Sequence, residues 1–331
     1  MSDGHCGSRI AWPLRWIANP VVFHLGSSNL PCRAILIDRR FLVYNAPSGA
    51  MNYLVTMAII LLFVIVILLF WIWTRIRHLT PSNDLSWVNE NKFTAYAEIK
   101  GDNVLLKNVR DFNWRTTKDY DERWVEKKFK ISDCTKIWLV LEYFYPTRRP
   151  VAHTLLSFEF KNGERISCSI EVRREPGERF SPMKGLLREF EIMYVWATEE
   201  DVIGVRSRCR KSETHLFEAV ILGEGNQSRM LESYLKRTND LHEKPEFYNS
   251  IFNNCTTNIA SHVNEVYPGR VPRAIGVILP GLSPRLLSRN NLVKIRGENI
   301  KEEMKTNQIE ERARSWDGKS DFGETIRNVD S

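Results

Sequence analysis

The sequence predicts an α+β protein: one membrane-spanning helix near the N-terminus, then a domain built on a mainly antiparallel sheet with helices gathered towards its C-terminal half. Three observations carry this. A charge-free stretch covers residues 41–74, strand-like runs fill residues 95–222, and helical spacing takes over from residue 226.

Residues 53–73 are almost purely Leu, Ile, Val, Phe and Met. At about 1.5 Å per residue, roughly 20 such residues cross the hydrocarbon core of a bilayer. Phe70, Trp71 and Trp73, followed by Arg75 and Arg77, have the composition of an interfacial belt. A buried core helix normally keeps one polar side, and this run is apolar all round. An uncleaved anchor is therefore expected over 52–74, since no small-residue cleavage site follows it. Flanking positive charge does not orient it: Arg33, Arg39 and Arg40 precede the span, and Arg75, Arg77 and Lys92 follow. Residues 1–50 show neither strand nor helix periodicity, and Met51 opens MNYLVTMAII as a start would. The expectation is an irregular extension over 1–50, omitted if translation begins at Met51.

A turn-rich linker is expected over 75–90, around Pro81, Ser82, Asn83 and Asp84. The domain over 91–293 opens with the strand-like runs AYAEI and NVLLKNV about Gly101-Asp102, then KIWLVLEYFY at 136–145. HTLLSFEF and RISCSIEV, joined by Asn162-Gly163, read as a β-hairpin. Residues 193–196 and 202–206 read as strands on either side of an acidic turn, Glu199-Glu200-Asp201, and THLFEAVIL as another. Residues 226–241 and 255–266 carry apolar side chains at helical spacing. The tail over 294–331 is charged, poor in large apolar residues and expected to be solvated.

Charge and cysteine usage narrow the function classes. The net charge of +7 is not concentrated in a stripe with interleaved aromatics, which argues against nucleic acid as a partner and fits a tethered domain beside an anionic bilayer. Cys6, Cys32, Cys134, Cys168, Cys209 and Cys255 include no CxxC pair, so no metal site is expected, and no motif asks for a cofactor. Their even number permits disulfides, which a domain of this size does not need.

Cys255 lies in FNNCTTNI, where Asn253 or Asn254 can cap a helix beginning near the thiol. Unpaired N–H groups and the helix dipole favour a thiolate there, although a cysteine at a helix start is equally a small buried residue. The hairpin offers a base. Aligning Leu156, Phe158 and Phe160 with Ile166, Cys168, Ile170 and Val172 on one face leaves His153, Ser157, Ser169 and Glu171 on the other, mostly polar, face. A carboxylate or hydroxyl beside an imidazole fixes its tautomer. The plain alternatives are a surface histidine and a Glu171 that is solvated or paired with Arg173 or Arg174. His262, seven residues along the helix from Cys255, is about 10 Å away by helix rise, too far for proton transfer. His215 stays open as a partner.

Four stretches in order, AHTLLSFEF, SIEVRRE with PGERFSP, EFEIMYVWATEEDVIGVRSRCR and KPEFYNSIFNNCTTNI, resemble the Lnb N-terminal periplasmic domain family over roughly residues 82–293. The resemblance implies a periplasm-facing domain with the NNCTT cysteine, Cys255, as nucleophile, the AHT histidine, His153, as base, and the SIEVR glutamate, Glu171, as third residue. Ser169, Asn253, Asn254 and Thr256 would support them. It further implies a circularly permuted papain-like fold, in which the strands precede the nucleophile helix, and Cys–His chemistry that moves an acyl chain through a thioester. A single-pass protein of the inner (cytoplasmic) membrane is then expected, acting on lipid, lipoprotein or wall peptide. The rival readings are a wall peptidase or amidase and a non-catalytic envelope-binding module.

Overall fold

The computed structural model describes residues 48–145, 147 and 150–328. The extension expected over 1–50, with Cys6 and Cys32, lies outside them except for residues 48–50, which open helix α1 (Ser48–Ile76). Within α1, Asn52–Ile76 is long and apolar enough to cross a membrane. Its Leu, Ile, Val and Phe side chains are exposed on every side, as suits a helix whose solvent is lipid.

The sheet domain begins with β1 (Tyr96–Lys100), β2 (Asn103–Arg110), β3 (Asn113–Trp114), β4 (Tyr120–Asp121), β5 (Trp124–Lys130) and β6 (Cys134–Tyr143). The hairpin β7 (Ala152–Phe160) and β8 (Arg165–Arg173) follows, then α2 (Pro182–Leu186), β9 (Glu191–Ala197), α3 (Glu199–Val202) and β10 (Glu213–Glu218). Helices close the chain: α4 (Asn226–Glu243), α5 (Cys255–Val266), α6 (Ile275–Ile278), α7 (Ser283–Arg289), α8 (Ile300–Thr306), α9 (Glu310–Ser315) and α10 (Phe322–Arg327). The main sheet runs β1-β2-β9-β8-β7-β6-β10, with β5 also on β2. Its pairs are antiparallel except for the single contact of β2 with β9. This is the mixed α+β architecture with a mainly antiparallel sheet that the sequence predicts.

The hairpin forms on Asn162-Gly163, where Gly163 takes φ +84°, a left-handed conformation that glycine adopts without strain. Its register places Leu155 opposite Ser169 and Leu156 opposite Cys168, matching the two apolar faces as the alternation requires. On that face Leu156, Phe158, Cys168, Ile170 and Trp196 pack against Leu231, Tyr234 and Leu235 of α4 and against Cys255.

The opposite, mostly polar, face is covered as well: Val140, Leu155, Val195 and Leu216 pack on Val202, Ile203, Ile309, Ala313, Phe322 and Ile326. The tail expected to be solvated supplies much of this cover through α9 and α10. Ile309, Ala313, Phe322 and Ile326 of the tail turn inward, and Arg327 pairs with Glu199 at 2.6 Å. Ser157, on the same strand face, donates to Glu199 at 2.5 Å. A small set of apolar residues suffices for a short helix laid on a sheet, so a low apolar fraction does not mark this tail as unfolded.

A second difference lies at residues 202–206, which are helical. Thr198 accepts from the Asp201 N–H and so caps α3, whose first turn holds Glu199, Glu200 and Asp201, and a single π-helical turn (Val205–Cys209) follows. Cap and acidic first turn are a helix start, and they outweigh the strand-like look of Val202, Ile203 and Val205. The segment after α1 is stitched down by Asn83, which donates to the His242 carbonyl at 2.9 Å, and by Arg173, which lies 4.3 Å above the Trp87 ring.

Asp201 ties α3 to the sheet. Fully buried, it accepts from Arg110 Nε at 2.9 Å, Trp114 Nε1 at 2.8 Å and the Phe112 N–H at 2.9 Å. Removing one partner strands the other charge in the interior. Asp201→Ala is therefore expected to destabilise the domain by about 3–5 kcal/mol, read as a lowered unfolding midpoint in detergent; an unchanged midpoint would contradict the anchoring role.

Candidate active site

Cys255 opens α5, and the capping residue is Asn254: its Oδ1 accepts from the Thr257 N–H at 2.9 Å while Thr257 Oγ1 accepts from the Asn254 N–H at 2.8 Å. This reciprocal box leaves the Cys255 and Thr256 N–H groups of the first turn pointing out of the helix end. Asn253 does a different job, donating to the Phe247 carbonyl at 2.9 Å and accepting from Asn258 at 2.8 Å, which shapes the loop before the thiol. Thr256 meets Thr154 of β7 at 3.1 Å and fastens the helix start to the central strand.

That strand also carries His153, beside Cys255. Its Nε2 lies 2.7 Å from Ser169 Oγ, and Ser169 donates to Glu171 Oε1 at 2.7 Å. Histidine and glutamate therefore share a strand face, as the alternation requires, with Ser169 bridging them. The partner of Glu171 is neither Arg173 nor Arg174. Arg173 donates to the carbonyls of Asn91 and Lys92, and Glu171 is held by Arg206 Nη2 at 2.7 Å. Arg206 comes from the π-helical turn and also pairs with Glu142 at 3.0 Å. Glu142, directly across from His153 on β6, is held from its other side by Arg210 at 3.0 Å.

The electrostatics follow from this alternation of charge. Burial alone would raise Glu171, but the guanidinium of Arg206, helped by Arg110 and His153, holds it well below the usual carboxylate range. Glu142 is lowered against its own burial by Arg210, Arg206 and His153. Burial also acts to push the Cys255 thiol up, yet the charge of His153, with hydrogen bonding from His153 and Thr154, brings it down to about 6. Other cysteines go the opposite way. Burial pushes Cys134 up to about 12 and raises Cys168, each beside a glutamate.

A cavity of about 330 Å³ opens over Cys255 and His153, with Phe144, Val151, Phe180, Tyr248, Ile278 and Leu279 among its walls. Arg174, Arg206 and Arg210 also reach it. His262 and His215 are engaged by other partners. His262 bonds to Tyr194 at 2.8 Å and Ser233 at 2.6 Å, and burial with Arg237 nearby brings it down to about 3. His215 has both ring nitrogens engaged, at 2.7 Å from the Met304 carbonyl and 2.9 Å from Glu213. Among the described residues, no three His, Cys, Asp or Glu side chains converge as a metal site would require.

Sequence reasoning did not single out Arg206, Arg210 or Glu142. Arg206 ends the stretch 202–206 that reads as a strand, Arg210 lies beyond it, and Glu142 sits in an apolar run. Their signal was a lone carboxylate inside KIWLVLEYFY, a buried charge that needs a partner.

Residues 120–281 match the family described as the Lnb N-terminal periplasmic domain. The resemblance drawn from the four stretches thus holds over a segment containing His153, Ser169, Glu171 and Cys255. The chain therefore combines a match to a periplasmic domain family with one helix apolar enough to cross a membrane. Neither curated proteins nor solved structures yield a match.

The thiolate is the reactive form, so alkylation at Cys255 is expected above the folded pKa and lost as pH falls through it. Iodoacetamide labelling mapped by mass spectrometry should be half-maximal near pH 6 at Cys255. In His153→Ala that midpoint should rise to the ordinary thiol value of about 8.5 or beyond, because burial is then unopposed by the imidazole. An unmoved midpoint would mean that His153 does not control the thiol.

Proposed function

We propose that the domain is a membrane-anchored thiol acyltransferase or hydrolase acting through a thioester, with Cys255 as nucleophile and His153 as its base. The observation that carries the reading is geometric: the Cys255 thiol, at a capped helix N-terminus, shares a cavity with His153, whose Nε2 is held by Ser169 and through it by Glu171. With Nε2 engaged by Ser169, Nδ1 is the ring nitrogen left for the thiol. It takes the proton, and the chain from Nε2–H to Ser169 to Glu171 steadies the imidazolium that results. The thiolate adds to a carbonyl, and N–H groups of the first turn of α5 stabilise the oxyanion. Collapse expels the leaving group, which recovers the proton from His153. An amine or water then takes the acyl group and restores the thiol.

Strands bearing the base precede the helix bearing the nucleophile, which is the order of a permuted papain-like enzyme. The family match and the apolar helix favour single-pass insertion in the inner membrane with the domain in the periplasm. The largely apolar walls of the cavity favour an acyl chain of a lipid or lipoprotein over wall peptide.

Incubation of the membrane-embedded chain with envelope lipid extract, followed by peptide mapping, should find an acyl mass on Cys255. Hydroxylamine should remove it, and His153→Ala should reduce its formation roughly 100-fold or more. Absence of any adduct and of any acyl transfer would favour an envelope-binding module.

A further inference from the structure

Three apolar side chains that line the cavity, and three more in the same or bonded segments, are left uncovered by the fold. Phe252 is 81 % exposed, Ile275 64 % and Met183 63 %, and Phe180, Ile278 and Leu279 are open as well while also lining or flanking the cavity. They come from three separate segments that are bonded into one surface. Ser250 donates to the Pro182 carbonyl at 2.7 Å, and Asn254 donates to the carbonyls of Ser250 at 2.8 Å and Ile278 at 3.4 Å. Gly185 permits the first of these joins, because a β-carbon there would come within 2.4 Å of Ser250 Oγ.

Phe252 stands on an ordered turn. Asn249 and Asn253 exchange backbone hydrogen bonds at 3.1 and 3.0 Å, and Asn249 Oδ1 accepts from the N–H groups of Ile251 and Phe252 at 3.0 Å each. A rigid turn that holds a phenyl ring in water three residues before the nucleophile gains nothing for the fold. A contiguous apolar patch of this kind marks a binding surface.

Charge selects the occupant. Residues 267–289, which carry Ile275, Ile278 and Leu279, contain Arg270, Arg273, Arg285 and Arg289 and no carboxylate. The neighbouring loop over 174–189 is near balance, with Arg174, Arg179, Lys184 and Arg188 against Glu175, Glu178 and Glu189. Apolar side chains among arginines are the composition of a segment lying in the headgroup region of an anionic leaflet.

We propose that the rim formed by Phe180, Met183, Phe252, Ile275, Ile278 and Leu279 is a bilayer-docking face, which seats the cavity mouth on an anionic phospholipid surface. Docking requires no chemistry at Cys255; that a docked lipid delivers its acyl chain to the thiol rests on the thioester reading. An acyl chain entering from a seated mouth would not have to cross water.

The test uses the full chain in nanodiscs of phosphatidylethanolamine and phosphatidylglycerol carrying a phosphatidylglycerol with a diazirine in its acyl chain. Photolabelling and peptide mapping should find adducts within 178–188, 247–254 and 271–285 as well as within the apolar helix. The double variant Phe252→Glu, Leu279→Glu should lose at least about ten-fold of the domain adducts while the helix adducts stay constant. Phosphatidylcholine nanodiscs should lower domain labelling several-fold. Adducts confined to the helix, adducts spread evenly over the domain, equal labelling in both lipid mixtures, or lipid-independent cross-links between copies at Phe252 would each overturn the proposal. Cys255→Ala separates the two readings: it should retain rim adducts, whereas rim adducts in wild type without an acylated Cys255 would leave docking intact and remove the thioester.

Discussion

Arg206 is the charge on which the candidate site depends. Two glutamates on central strands, Glu142 and Glu171, point into the layer beneath His153, where an unpaired carboxylate would be driven to protonate. A single guanidinium between them, with Arg210 on the far side of Glu142, lets both stay ionised in the interior. Arginine suits the position because its planar fork serves two carboxylates at once, which a lysine ammonium does not do in fixed directions. The π-helical turn supplies the extra residue that presents this side chain towards the sheet, and such turns recur where a helix must place a functional group.

The consequence is a connected order of groups beside the cavity: Arg210, Glu142, Arg206, Glu171, Ser169, His153 and Cys255. Each carboxylate is flanked by a guanidinium that lowers it against its own burial, and the charge of His153 in turn favours the Cys255 thiolate. The thiol is lowered although it is buried, whereas Cys168, also fully buried but lacking a cationic neighbour, is raised. Burial is common to both cysteines, and the neighbouring charge decides between them.

The order needs a closed sheet face to hold it. α3, the π-helical turn, α9 and α10 exclude water from that side, and ion pairs such as Arg327 with Glu199 fix them there. The C-terminal helices therefore belong to the same construction as the site, even though they lie beyond the stretch that matches the family. Packing on the other face, through α4 and α5, sets the depth of Cys255 against β7. The cavity mouth, by contrast, is left with apolar side chains facing out.

Local physics made a large part of this legible in the residues alone. A run with no charge over more than 20 positions is a membrane-length helix whatever surrounds it. Asn162-Gly163 between alternating strands forces a hairpin and its register, and that register alone placed His153, Ser169 and Glu171 on one face. The asparagine before Cys255 predicted a helix start, because capping is settled within four residues. The tertiary structure alone decided which carboxylate meets which guanidinium, that residues 202–206 coil instead of pairing, and that a charged tail folds over the polar face. Those outcomes join residues far apart in the chain, 35 positions for Glu171 with Arg206 and 159 for Arg165 with Glu324, where sequence period carries no information and complementarity of charge and shape in the packed interior makes the choice.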